Sequence, residues 1–149
     1  MPESQLSGVM VGKVHHFPLR VYYADTDAAA VVYHSSYLDF AERARTEMMR
    51  LFGLDHAQLM KDHGMLFAVR SCEIDYRRPA RLDDLLEIRS HLSHLGGASL
   101  HAEQSIWRGE EELVRMIIRL ACMNLAGGAI RIPTEIRNDL QDFLTEKAD

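Results

Sequence analysis

The chain is short of the residues and runs that staple, anchor or steer a small protein. Cysteine occurs twice in 149 residues. Cys72 and Cys122 stand in apolar, strand-like stretches without metal-ligand spacing. A disulfide framework is excluded, and both read as reduced thiols of a cytoplasmic protein. No stretch approaches the roughly 20 apolar residues that cross a bilayer. The opening "MPESQLSGVMVGKVHHF" has no basic region leading into an apolar one, so no targeting signal is expected. Positive charge is not in excess. With 17 Lys and Arg against 22 Asp and Glu, the net charge of −5 gives no electrostatic footprint for nucleic acid. Composition breaks, repeats and low-complexity segments are also missing. One domain is expected over residues 15–149, behind a frayed tail at 1–14. A domain of this size buries roughly 68–70% of its unfolded surface and needs no metal or disulfide to fold.

What the chain does have is a change of period. "HHFPLRVYYA" (His15–Ala24) is rich in strand formers and predicts a first strand. A helix is predicted from about Ser35 or Ser36 to Phe52. Tyr37, Phe40, Ala41, Ala44, Met48, Leu51 and Phe52 make its apolar stripe. Ser36 and Asp39 have the spacing of a capping box, and Gly53 suits the position after the helix end. A short helix follows at about Asp55 to Asp62. Beyond Gly64, "LFAVRSCEIDYRR", "LLEIRSHLSHL", "ASLHAEQSIW" and "ELVRMIIRLACMNL" read as strands. "RPARLDD", Gly96–Gly97 and "RGEE" are the expected turns. The last strand is apolar on both faces and is expected at a central or doubly covered position. Pro133 opens a C-terminal helix from about Thr134 to Leu144. This order predicts an α+β fold: a four-strand antiparallel meander around one long helix.

The chemistry-bearing stretch is "VYYADTDAAAVVYHSSY" (Val21–Tyr37). Asp25 and Asp27 lie between the first strand and the long helix, and His34 stands at the helix start. Up to four N–H groups at a helix N-terminus lack an intrahelical partner, and the dipole adds roughly half a positive charge. Such a terminus can polarise a carbonyl and hold the oxyanion formed when it is attacked. A carboxylate opposite could attack the acyl carbon or deprotonate a water. On residue types alone, Asp in such a turn is more often an Asx-turn or cap, and His34 more often a satisfied polar residue.

The whole stretch "RVYYADTDAAAVVYHSSYLDFAERARTEMMR" resembles the signature of the hotdog-fold acyl-CoA thioesterases. It is most similar to the YbgC-type branch associated with the Tol–Pal system, and more distantly resembles 4-hydroxybenzoyl-CoA thioesterase. "FAVRSCEIDYRRPARLDDLLEIRSHL" continues the likeness, which covers about Phe17 to Leu125. The resemblance implies a hotdog fold, an antiparallel sheet around one long helix. It also implies acyl-CoA hydrolysis without a cofactor, and a homodimer or homotetramer with sites at the dimer interface. Short- to medium-chain or aromatic acyl groups are the implied substrates. By the same resemblance Asp27 is the catalytic carboxylate, Tyr23 orients it or the water, and His34 polarises the thioester carbonyl. Asp25 would brace the turn. The family usually has glycine at Ala29 or Ala30. The alanine run implies either ordinary dihedrals there or a different approach to the thioester.

Arg77, Arg78 and Arg81 flank the "RPAR" turn, and Arg131 and Arg137 lie near the C-terminus. Guanidiniums of this kind can hold the phosphates of coenzyme A, with a solvated charged turn as the alternative. His91 and His94, three apart on a strand, are expected on opposite faces, and no metal is predicted. Met48, Met49, Met60 and Met65 are read as core, with an acyl tunnel as the alternative. Two other functions remain open beside the thioesterase. One is a binding module for an acyl carrier protein or phospholipid synthesis. The other is an enoyl-CoA hydratase, although its closer-spaced acid–histidine motif is not found.

Overall fold

The computed structural model describes residues 6–145. Strands β1 (Val9–Val11) and β2 (Val14–Arg20) precede the long helix α1 (Ser36–Leu51) and the short α2 (His56–His63). Then come β3 (Met65–Tyr76), β4 (Leu85–Leu95), β5 (Ser99–Arg108), β6 (Glu111–Asn124) and α3 (Thr134–Gln141). The six strands form one antiparallel sheet in the order β1-β2-β4-β5-β6-β3.

Only part of the expected meander exists. β4, β5 and β6 follow one another, but β3 pairs with β6 at the far edge, and β4 pairs with β2. "RPARLDD" is therefore a crossover from one side of the sheet to the other. β6 lies between β5 and β3, the interior position its composition demanded. Register shifts at Val69/Ser71, Leu92/His94 and Ile106/Trp107 mark bulges. Bulges bend strands and raise their twist, and here they curl the sheet around α1.

The core lies between that concave face and the helix. Tyr37, Phe40, Ala41, Ala44, Met48 and Met49 face Ile88, Leu92, Leu100, Ile106, Met116 and Ile118, all buried. Burying each large aliphatic side chain contributes about 1.5–3 kcal/mol. Met49 rather than Leu51 completes the stripe, since Leu51 is 38% exposed. One polar cluster sits inside: Gln104 Nε2 donates to Ala41 O and to Ser90 Oγ, both at 2.9 Å. Arg45 Nη1 in turn donates to Gln104 Oε1 at 2.9 Å. This ties the middle of α1 to the sheet.

Four further expectations are corrected. The tail up to residue 14 carries a strand, because Gly12 (φ 61°) turns Val9–Val11 back on β2; residues 1–5 of that tail lie outside the described residues. The first strand stops at Arg20, where a single 3₁₀ turn (Tyr23–Asp25) takes over. The capping box is not formed, and Ser35, the N-cap, makes no side-chain cap bond. α3 ends at Gln141, because Phe143 leaves the helix to stack on Phe52 at 3.7 Å.

His91 and His94 share a face. Ser93 is the extra residue of the bulge, so His91 pairs with Glu103 and His94 with His101, two residues apart on β5. The rings of His94 and His101 are 4.5 Å apart, and His91 Nε2 lies 3.2 Å from Glu103 Oε2. Among the described residues, no group of three or more His, Cys, Asp or Glu converges as a metal site.

Candidate active site

The segment between β2 and α1 is built almost wholly from backbone bonds. The Asp25 carboxylate accepts from the Tyr22 amide at 2.8 Å, and Thr26 Oγ1 donates to Tyr23 O at 2.8 Å. These short-range bonds close the 3₁₀ turn, so Asp25 braces it. Thr26 then pairs with Val32 as an isolated bridge. Inside that bridge the Asp27 amide donates to Val31 O at 2.9 Å, and the Ala30 amide to Asp27 O at 3.0 Å. Asp27 Oδ1 accepts from the amides of Ala29 (2.8 Å) and Val31 (3.4 Å). This is an Asx arrangement; it fixes the carboxylate through one oxygen and leaves Oδ2 uncommitted among the described residues.

Ala30 has φ 60°. The loop thus keeps a left-handed residue in the place where glycine would be easiest, and ordinary dihedrals are excluded.

The crossover "RPARLDD" supports this hairpin from the side. Val32 N donates to Ala80 O (2.9 Å), Leu82 N to Ala30 O (3.0 Å), and Arg81 bridges to Val31. Asp84 anchors the crossover by accepting from the Arg81 amide and from Arg108 Nη1, both at 2.8 Å. Burial pushes Asp84 up, but these bonds and the two positive charges together hold its carboxyl below the usual carboxylate range.

The helix start lies directly beyond. Tyr33 N donates to Asp25 O (3.0 Å), and Ser36 N to Tyr33 O (2.8 Å), closing a turn with His34 as its second residue. Tyr76 Oη donates to His34 O at 3.0 Å. Among the described residues, the amides of His34 and Ser35 find no acceptor within the chain. An uncapped helix start, with its free N–H groups next to the Asp27 hairpin, is what carbonyl polarisation requires.

A groove of about 300 Å³ opens beside it, lined by Val32, His34, Tyr37, Tyr76, Arg77, Arg78 and Pro79. Tyr37 and Tyr76 meet edge to face at 5.7 Å. Tyr37 Oη accepts from the Ala80 amide at 3.0 Å, and burial pushes its hydroxyl pKa up. These two tyrosines were not singled out in the sequence, where Tyr37 read as core stripe and Tyr76 as strand. Their signal was the adjacency of the crossover to the helix start, which only the fold reveals.

The other expected residues divide. Arg77 and Arg78 line the groove, yet both are paired: Arg77 with Asp75 (3.0 Å) and Glu112 (3.3 Å), Arg78 with Glu111 (2.8 Å). Arg81 stands beside the Asp27 hairpin instead. Arg137 is elsewhere, donating to Gly96 O at 2.6 Å. Tyr23 is 83% exposed, and its hydroxyl makes no hydrogen bond among the described residues; within one chain it does not orient Asp27. Asp27 and His34 are exposed as well.

The chain is similar to known thioesterases. Residues 21–144 match the family described as the thioesterase-like superfamily. The acyl-CoA thioesterase YbgC of Haemophilus influenzae is 39% identical over 122 residues, 81% of this chain and 90% of its own length. The acyl-CoA thioester hydrolase YbgC of Escherichia coli O6:H1 is 47% identical over 98 residues, covering 66% of this chain and 72% of that protein. The crystal structure of a probable thioesterase from Bartonella henselae superposes with a TM-score of 0.76 at 42% identity, over 80% of this chain and 99% of that one. Together with its helix wrapped in a curled antiparallel sheet, this similarity means that the chain belongs to the thioesterase-like superfamily and has the hotdog fold.

Proposed function

We propose that the protein hydrolyses acyl-CoA thioesters of short- to medium-chain or aromatic acids, releasing the free acid and CoA. The observation that carries this reading is the pairing of a half-free carboxylate with an uncapped helix start. Among the described residues, Asp27 is held by Oδ1 alone, and the His34 and Ser35 amides have no acceptor. The thioester carbonyl sits with its oxygen on those amides. Asp27 Oδ2 either takes the proton of an attacking water and passes it to the leaving sulfur, or attacks the acyl carbon to give an anhydride that water then opens. In both cases the C–S bond breaks and CoA leaves as the thiol with a proton from water. Both routes deliver the acyl group to water. Arg77 and Arg78 exchange their carboxylate partners for CoA phosphates, and Arg81 covers the hairpin side. Tyr23 serves the site from a neighbouring copy's side of the interface, where its exposed ring becomes buried.

A second copy is part of the reading. β3 is a twelve-residue edge strand with Val69 55% and Tyr76 47% exposed, and an edge of that length invites pairing. The reading is a homodimer or homotetramer, to be checked by sedimentation.

The test is thiol release from acyl-CoAs of graded length and from benzoyl-CoA, with two variants at one residue. His34→Ala removes the imidazole and keeps the amide. His34→Pro removes the amide, at a turn position that accepts proline. Losing one oxyanion donor costs roughly 10²–10³ in kcat. The expected result is a modest loss for His34→Ala and a loss of that size for His34→Pro with the fold intact. Equal losses, or thioesters left untouched by the unaltered protein, contradict the proposal.

A further inference from the structure

A second cavity, of about 240 Å³, lies two helical turns away from the groove. Its walls are largely apolar, with Met48, Phe67, Val69 and Leu120 among them, but Glu42, Arg45 and His56 also line it. Arg45 is the anomaly. Its guanidinium is half-buried, Nη1 is spent on a neutral oxygen of Gln104, and no described carboxylate lies within ion-pairing distance. Burial lowers its pKa, and the nearby Glu42 charge partly restores it. Its other N–H groups have no acceptor among the described residues, and the cavity is open to them. A small apolar cavity with a few convergent polar groups is the form of a ligand site.

Cavity and groove lie along the same two elements, α1 and β3, with no lining residue in common. On α1, Tyr37, Ala41 and Arg45 stand four residues apart and so form a single stripe. On β3, Tyr76, Ile74, Cys72, Val69 and Phe67 pair with Val114, Met116, Ile118, Leu120 and Cys122, which are buried, so they face the same interior. Ala41, buried between them, is the smallest side chain of that stripe. Arg45 lies eight residues past Tyr37, about 12 Å along the axis. A volume just below the usual 300–1,000 Å³ of small-molecule sites suits an unbranched chain.

We infer that this cavity receives the far end of the acyl chain, and that Arg45 with Glu42 selects chains ending in a hydroxyl. A hydroxyl accepts from the free guanidinium N–H groups and donates to the Glu42 carboxylate. It adds no charge beside Glu42, whereas a terminal carboxylate would. This rests on the thioesterase reading above. Arg45 is a specificity-determining residue here, outside the bond-breaking step.

The experiment compares kcat/KM for decanoyl-CoA, ω-hydroxydecanoyl-CoA and decanedioyl-CoA, with Arg45→Met and Arg45→Lys beside the unaltered protein. A hydrogen bond to a charged group gives roughly ten- to hundredfold discrimination. The hydroxylated substrate is expected to lead by that factor. The ratio should fall towards one in Arg45→Met and recover in part in Arg45→Lys. No preference in the unaltered protein, or a ratio that neither variant moves, overturns the inference. Calorimetric binding of free ω-hydroxydecanoate against decanoate separates it from the catalytic reading. If no thioester is cleaved, the catalytic reading falls, and the acids decide the cavity: tighter binding of the hydroxy acid, lost in Arg45→Met, upholds it, and equal binding overturns it.

Discussion

Replacing Ala30 probes the hairpin that holds Asp27. Ala30 has φ 60°, and its amide and carbonyl bond Asp27 O and the Leu82 amide, both at 3.0 Å. A left-handed residue with a Cβ costs roughly 1–2 kcal/mol. Glycine removes that cost but brings a more flexible unfolded chain, worth about 0.4–1 kcal/mol in the other direction. The expected net effect of Ala30→Gly is therefore a gain of roughly 0–1.5 kcal/mol. For a chain of this length that raises Tm by up to about 6 °C. Ala30→Val, β-branched, meets a larger steric penalty in the same conformation and is expected to lose about 1–3 kcal/mol. Urea titration of the three proteins gives the order, and thiol release measured in parallel shows whether the Asp27 geometry follows. The order is Gly at or above Ala, with Val well below both. A valine variant as stable as the parent, with glycine the weakest of the three, would refute a left-handed residue at this position and with it the Asp27 hairpin as described.

Two further outcomes follow from the interior. Gln104→Leu strips Arg45 and Ser90 of their partner and is expected to cost about 1–3 kcal/mol, read as a shift in urea midpoint at constant m-value. His15 is fully buried, with Nε2 2.6 Å from Ser7 O and Nδ1 without a partner; burial, reinforced by His16, lowers its pKa below 6.5 in spite of the Ser7 bond and Glu47. The unfolded state then binds the proton first, so stability is present above about pH 6.5 and declines as pH falls through the folded-state value. His15→Phe should flatten that acid slope in urea midpoints measured between neutral and mildly acidic pH, leaving the part due to His56, which burial also lowers.

The long helix was legible because its stripe and its charged face repeat over four turns, and the structure begins it at Ser36, one of the two starts expected. The strands were legible from alternation, and the central place of β6 from its apolar composition. Strand order was not: β3 and β4 are adjacent in sequence, and nothing local in "RPARLDD" says that it crosses the sheet rather than turning back. The same blindness hid the bulge at Ser93, which reversed the relation of His91 and His94. In the candidate site, Asp25, Asp27 and His34 could be singled out because one short segment carries all three. Tyr37 and Tyr76 could not, because their closeness depends on a long-range contact between α1 and β3. Arg45 escaped for another reason. A charged residue in a helix reads as its solvated face, and only the missing carboxylate and the cavity beside it set it apart.

The most direct measurement is single-turnover thiol release by Asp27→Asn, which exchanges an acceptor oxygen for an amide with almost no change in shape. The expected result is loss of the hydrolytic step, with acyl-CoA still bound and the urea midpoint near that of the parent. Undiminished release of CoA by that variant would contradict the account, since the hydrolytic step is placed on the Asp27 carboxylate.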